Sequence, residues 1–180
     1  GGAGADEITG GDGADTITGG AGVDKLVGGT GANKFVYLSS ATDATGDGET
    51  ITGGSGTDTL VVAGGTAAVN FSNDVITDIE ALELTKNSAG ANDGNSQSLT
   101  MKDAQIDAIT TINAADGDKI TLADVMTSDM LNDTVITSNL ELVLFNDNNA
   151  LTLVNGTLAS GTDVLKVDGS NIGSTKALTF

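Results

Sequence analysis

Large apolar residues recur every ninth position at the start of the chain: Ile8, Ile17, Leu26 and Phe35. Glycine, alanine, threonine and acidic residues fill most of the intervals. A period of nine matches neither the helical repeat nor a long alternating strand, so it predicts short strands that each bury one side chain, separated by turns. Beyond residue 62 the nine-residue period stops, but apolar residues stay closely spaced in 75–84 (VITDIEALEL), 134–138 (TVITS), 140–145 (LELVLF), 150–154 (ALTLV) and 163–167 (DVLKV). Alternation places Leu140, Leu142 and Leu144 on one strand face and Leu151 and Leu153 on one face of the next. The polar run Asn146–Asn149 between them predicts a hairpin turn. Segment 102–109 (KDAQIDAI) lacks glycine and predicts a short helix. Thr121 followed by Asp124 predicts a second one after a strand at 119–122. The pattern as a whole is all-β with one or two short helices. The small residues around Val62–Asn70 divide it into 1–61 and a β-rich C-terminal region at 62–180. That second region either stands apart or stacks on the first.

The four opening units, GGAGADEIT, GGDGADTIT, GGAGVDKLV and GGTGANKFV, share the form Gly-Gly-x-Gly-x-Asp-x-apolar-x. Their glycines allow tight turns in which loop packs on loop. The sixth position carries Asp6, Asp15 and Asp24, and then Asn33, which keeps an oxygen but loses the charge. Calcium takes 6–8 hard oxygen ligands and accepts backbone carbonyls beside carboxylates. A glycine-rich loop that exposes carbonyls and ends in an aspartate supplies half of such a set. Residues 53–61 (GGSGTDTLV) repeat the form in full, with Asp58 sixth and Leu60 eighth. Residues 44–52 repeat it loosely, with Glu49 sixth and Ile51 eighth. Segment 44–61 reads as one more coil, and Thr45–Glu49 reads equally well as a plain polar turn.

Charge narrows the function classes. The chain carries 25 acidic residues against 7 lysines, for a net charge of −18. Such a balance opposes compaction, and bound cations relieve it. It also excludes nucleic acid as a partner, because phosphate binding requires basic patches. No apolar run reaches the length of a bilayer span. Histidine and cysteine are both absent. That removes the commonest general base, the thiol nucleophile and the usual zinc ligands, so no catalytic residues are assigned. Asp116 and Asp118 form a close acidic pair of the kind that covers a solvated turn. They do not open an EF-hand, whose twelfth position would be Thr127 rather than glutamate. The chain begins on the first residue of a repeat and without methionine, which reads as a piece of a longer protein.

Residues 1–36 resemble the β-roll of the RTX (repeats-in-toxin) family. The resemblance implies a right-handed parallel β-roll, or β-solenoid, in which two nonapeptides make one coil and calcium sits between loops eighteen residues apart. It pairs Asp6 with Asp24 and Asp15 with Asn33. It assigns as metal ligands the carbonyls at positions two and four and the side chain at position six. These map to Gly2, Gly4 and Asp6; Gly11, Gly13 and Asp15; Gly20, Gly22 and Asp24; and, with a weakened charge, Gly29, Gly31 and Asn33. Glu49 and Asp58 extend the set by position. The later part of the chain resembles the C-terminal region of large type I-secreted adhesins and other RTX surface proteins, through Ile79, Glu80, Leu82, Leu84, Leu99, Asp118, Lys119, Ile120 and Leu122. This resemblance implies an extracellular or cell-surface location and export by type I secretion machinery. It places the export signal in the final stretch, which includes Ser174–Phe180. Calcium is the expected cofactor, and self-association or cell-surface glycans are the expected further partners. Two roles stay open: a structural or adhesive surface protein of the S-layer or adhesin type, and the export and folding module of a secreted hydrolase with its active site upstream.

Overall fold

The computed structural model describes residues 1–38, 48–64, 68–84, 96–115, 117–124, 135–136, 140–143 and 165–168. Among them the chain is mostly strand, with every strand pairing parallel. The nine-residue units alternate between two sheets. The first holds β1 (Glu7–Asp12), β3 (Lys25–Thr30), β5 (Thr50–Ser55) and β8 (Val75–Thr77) in that order. The second begins with β2 (Thr16–Ile17), β4 (Lys34–Leu38), β6 (Thr59–Ala63) and β9 (Ala81–Glu83). It continues through β11 (Thr111–Asn113) and β13 (Val135–Ile136). A third sheet joins after β6: β7 (Val69–Asn70), β10 (Ser98–Met101), β12 (Lys119–Leu122), β14 (Leu140–Val143) and β15 (Leu165–Asp168). Among the described strands, successive passes therefore visit the first and second sheets at the start, all three around β5–β10, and the second and third sheets after that.

The register stacks like on like, which is why a period of nine was needed. Ile8, Leu26, Ile51 and Ile76 form one column, and Ile17, Phe35, Leu60, Leu82, Ile112 and Ile136 form another. Val69, Leu99, Ile120 and Leu142 form the third. These columns meet in one continuous core that runs from Ile17 to Leu142, with Ile8 and Ile76 partly buried against it. Leu26, Phe35, Ile51 and Leu60 are fully enclosed. Strands on both sides of Val62–Asn70 share the second sheet and this core. At the corner where the third sheet begins, the rings of Tyr37 and Phe71 meet edge to face, with centroids 4.9 Å apart.

The glycine-free segment at 102–109 does form a helix, reduced to the single turn α1 (Asp103–Ile106). This turn packs on β8 and follows the last strand of the first sheet. Gln105 holds it there. Its Nε2 donates to the carbonyls of Phe71 (2.7 Å) and Asp74 (2.9 Å), while its Oε1 accepts from the Lys102 N–H at 2.7 Å. After Ile106 the chain leaves the helix in a turn closed by the Ile109 N–H on the Ile106 carbonyl at 2.8 Å, with both isoleucines buried in the core.

The expected strand at 119–122 is present as β12, and Asp124 lies in a bend where its Oδ1 accepts the Asp103 N–H at 2.8 Å. The short helix expected after that strand falls on residues from 125 on, outside the described residues. The expected hairpin turn at 146–149 and the strand at 150–154 lie outside the described residues. The proposed export segment at 174–180 and Asp116 also lie outside the described residues.

Candidate metal centre

The turns between strands form two stacks. One contains the loops 1–6 and 19–24, followed by Glu49 and Asp74. The other contains the loops 10–15, 28–33 and 53–58, followed by Glu80. Backbone hydrogen bonds knit neighbouring loops together: the Gly4 N–H donates to Ala21 (2.7 Å), Ala21 to Gly2 (2.8 Å), Gly13 to Thr30 (2.9 Å) and Gly31 to Ser55 (2.7 Å). The carbonyls at positions two and four face the next loop. A Cβ on Gly20 or Gly22 would overlap the carbonyl oxygen of Gly2 or Gly4, and the same holds for Gly29 and Gly31 against Gly11 and Gly13. The glycine at these positions is thus imposed by the carbonyl of the loop before it. Gly54 and Gly56 stand in the same relation to Gly29 and Gly31.

The sixth position does two things, one with each oxygen. Its Oδ1 ties adjacent loops: the Asp6 N–H donates to Asp24 (2.8 Å), Asp15 to Asn33 (3.0 Å), and Asn33 to Asp58 (2.8 Å). The structure therefore sets Asp6 beside Asp24 and Asp15 beside Asn33, at a separation of 18 residues. The backbone completes each rung in the other direction, where Lys25 donates to the Asp6 carbonyl (2.8 Å) and Lys34 to that of Asp15 (2.8 Å). Glu49 stands in line with Asp24, since the next residue, Thr50, donates to the Asp24 carbonyl at 2.9 Å.

The second oxygen is the informative one. Oδ2 of Asp15, Asp24 and Asp58 is buried and has no hydrogen-bond partner, and Asp24 and Asp58 as whole residues are 2% and 0% exposed. In a folded protein an unsatisfied buried polar atom costs about 1–3 kcal/mol, and more when charged. Each of these oxygens lies against the first glycine of its own loop, at a point a side chain would otherwise fill. A Cβ on Gly10 would lie 2.6 Å from Asp15 Oδ2 and 2.6 Å from the Gly28 carbonyl oxygen, and one on Gly19 would overlap Asp24 Oδ2. Carboxylate and carbonyl oxygens therefore converge where the chain has left out side-chain atoms. This donor set fits calcium, whose hard oxygen shell accepts both kinds of ligand. Among the described residues no three acidic side chains gather on one point, so carbonyls must supply much of the shell.

At Asn33 the rung is built from an amide instead of a carboxylate. Its Oδ1 is engaged by the Asp15 N–H, and its Nδ2 donates to the Gly31 carbonyl at 3.3 Å. A Cβ on Gly28 would lie 2.7 Å from Nδ2 and 2.5 Å from the Gly53 carbonyl oxygen. A hydrogen-bond donor thus stands where the other rungs present an oxygen, and the carbonyl that would face a cation faces an N–H instead. The amide keeps the rung through its Oδ1.

The same rung continues beyond the repeats, where sequence reading did not look for it. Oδ1 of Asp74 accepts from the Gly48 and Glu49 N–H groups, both at 3.1 Å, and Glu80 Oε2 accepts from Asp58 at 2.8 Å. Asp118 accepts from Gln97 at 2.6 Å and from Ala115 at 2.7 Å, one bond on each oxygen. The available signal was an acid directly before a short apolar-alternating segment: Asp74-Val75, Glu80-Ala81 and Asp118-Lys119. On the open face of the first sheet Lys25 Nζ meets Glu7 Oε1 at 2.6 Å. The hydrogen bond and the charge of Lys25 hold the Glu7 carboxyl below its ordinary pKa.

Residues 1–35 match the family model of the RTX calcium-binding nonapeptide repeat, in 4 copies. The opening units are RTX repeats, and such repeats bind calcium ions. No curated protein and no solved structure matches the chain.

Proposed function

We propose that this chain is the calcium-folded β-roll module of a secreted or cell-surface structural protein, of the S-layer or adhesin type. The observation that carries the proposal is the set of buried, unpartnered Oδ2 atoms at Asp15, Asp24 and Asp58, each set against a loop whose first residue lacks a side chain. Asp6 and Asp24 in one stack, and Asp15 and Asp58 in the other, hold separate ions together with main-chain carbonyls of the loops, such as that of Gly28 beside Asp15 Oδ2. Calcium supplies a charge that neutralises carboxylates the fold has removed from water. The residues themselves place those oxygens: the Oδ1 rungs lock the register, and the glycines let the loops approach.

The consequence is coupling of folding to calcium. Where calcium is scarce, stacked acidic loops repel and glycine makes ordering costly, so the chain stays loose enough for a type I secretion channel. Outside the cell, calcium binds the folded form and its binding free energy becomes folding free energy. Each coil contacts only its neighbours, so order propagates along the stack. The module is read as non-catalytic, on the absence of histidine and cysteine and on a metal-site chemistry of hard oxygens. The long parallel stack beyond the repeats favours a structural role over a bare export tag, since it shares one core with them. Imaging purified protein on a support tests this role. Calcium-dependent ordered sheets or binding to cell-surface glycans are expected; a calcium-bound monomer that does neither would favour the folding module of a secreted hydrolase.

A further inference from the structure

The second stack of loops ends in a turn that is not a repeat. Thr52 aligns with Thr77 and Thr59 with Ala81, so the six residues 53–58 of one pass face only three, 78–80, of the next. The rung nevertheless persists. Glu80 Oε2 accepts the Asp58 N–H at 2.8 Å, and Ala81 donates to the Asp58 carbonyl at 3.0 Å. Glutamate, one methylene longer than aspartate, makes up for the shorter turn.

Asp78 takes the place of the first glycine. Its φ is 55°, and among the described residues it is the one non-glycine in the left-handed region. That conformation turns its carbonyl toward the loop above, where a Cβ on Gly53 would overlap the Asp78 oxygen and lie 2.7 Å from Asp58 Oδ2. Asp58 is 0% exposed, and its Oδ2 has no partner. A buried carboxylate oxygen and a carbonyl oxygen thus converge beside a residue whose carboxylate is already fixed to the same rung.

We propose that Asp58 Oδ2, the Asp78 carbonyl and the Glu80 carboxylate form a calcium site that closes the second stack, with one RTX loop on one side and the Thr77–Glu80 turn on the other. The proposal rests on calcium binding by the repeats and adds ligands from outside them. Glu80 uses Oε2 on the Asp58 N–H and offers its other oxygen to the ion. Asp78 contributes through its main chain, so its side chain is dispensable.

Calorimetric titration of the full chain with calcium, comparing Glu80→Gln and the exposed control Glu7→Gln with the parent, tests this. The glutamine at 80 retains an oxygen for the Asp58 N–H but loses the charge. It should bind one calcium fewer, or bind one at least about tenfold more weakly, since ligand charge sets affinity in such sites. Glu7→Gln removes the same charge away from the site and should keep the full count. An unchanged titration for Glu80→Gln, or an equal loss in Glu7→Gln, would overturn the assignment. Carbon-detected NMR of the unmutated chain provides a check independent of variant folding. The Glu80 Cδ and Asp58 Cγ resonances should shift in the same binding phase, and a Glu80 Cδ that stays fixed while the repeats saturate would also overturn it. A parent chain that binds no calcium would instead overturn the reading beneath it.

Discussion

Replacing Asn33 by aspartate should make calcium dependence steeper while weakening the protein where calcium is scarce. Asn33 is fully buried; its Oδ1 holds the Asp15 N–H at 3.0 Å and its Nδ2 reaches the Gly31 carbonyl at 3.3 Å. Aspartate preserves the first bond and turns the second contact into oxygen facing oxygen. Without a cation this leaves a buried carboxylate oxygen unsatisfied, at a cost of about 1–3 kcal/mol. With a cation the rung becomes equivalent to that of Asp58. One added site increases the dependence of stability on calcium by about 1.4 kcal/mol per tenfold change in free ion once the site is filling. The two stability curves should therefore cross, with the variant weaker at low calcium and stronger at high calcium. Urea unfolding at a series of buffered calcium concentrations measures both slopes. Parallel curves would refute the claim that the amide substitutes for an ion on this rung.

Further consequences concern the stack itself. Gly20→Ala should destabilise the calcium-bound chain by more than the roughly 1–2 kcal/mol of a left-handed alanine, because its Cβ also overlaps the Gly2 carbonyl. Gly2→Ala, which meets nothing within 4 Å, should cost far less, and equal unfolding midpoints for the two would contradict the stacking account. Gln105→Ala should remove two buried hydrogen bonds, to the Asp74 carbonyl and to the Phe71 carbonyl (which keeps the Asp74 N–H), and cost about 1–3 kcal/mol in all, with the calcium count unchanged by calorimetry. Glu7 has a lowered pKa in the folded chain, so its contribution is present above its unfolded pKa and is lost as pH falls through the folded one. Because the pair is exposed, Glu7→Gln should leave the melting temperature at neutral pH nearly unchanged, and a large drop would refute this.

The repeats were legible because a period of nine cannot serve any other regular element, and because one apolar residue per unit became one column of the core. The coil at 50–63 was also legible through Ile51 and Leu60, although its register opens from 18 to 25 residues. The third sheet was legible in part: β12, β14 and β15 coincide with the strand at 119–122 and the apolar runs at 140–145 and 163–167, whereas β7 and β10, of two and four residues, alternate too briefly to be distinguished from loops. Asp74, Glu80 and Asp118 were hidden by abundance: with 25 acids in the chain, no spacing marked these as rungs, and their separations of 25, 22 and 21 residues are irregular. The orientation of the Asn33 amide was not legible either, for a different reason. Position in a repeat identifies an oxygen, but only the neighbouring carbonyls decide which end of an amide faces them.

These rungs also explain why the repeats can end without the stack ending. Asp118 satisfies both of its oxygens with backbone N–H groups, whereas Asp24 and Asp58 keep one oxygen free. Similar geometry therefore serves a rung that leaves a carboxylate oxygen open and a self-sufficient one. The difference lies in whether a turn returns an N–H to the second oxygen or a glycine leaves space beside it.

Circular dichroism with a thermal scan, run in saturating calcium and again with excess chelator, tests the central claim most directly. The account predicts a strong β signal with a cooperative transition in calcium, and a marked loss of both when calcium is removed. Equal β content and an equal melting temperature in the two conditions would contradict it.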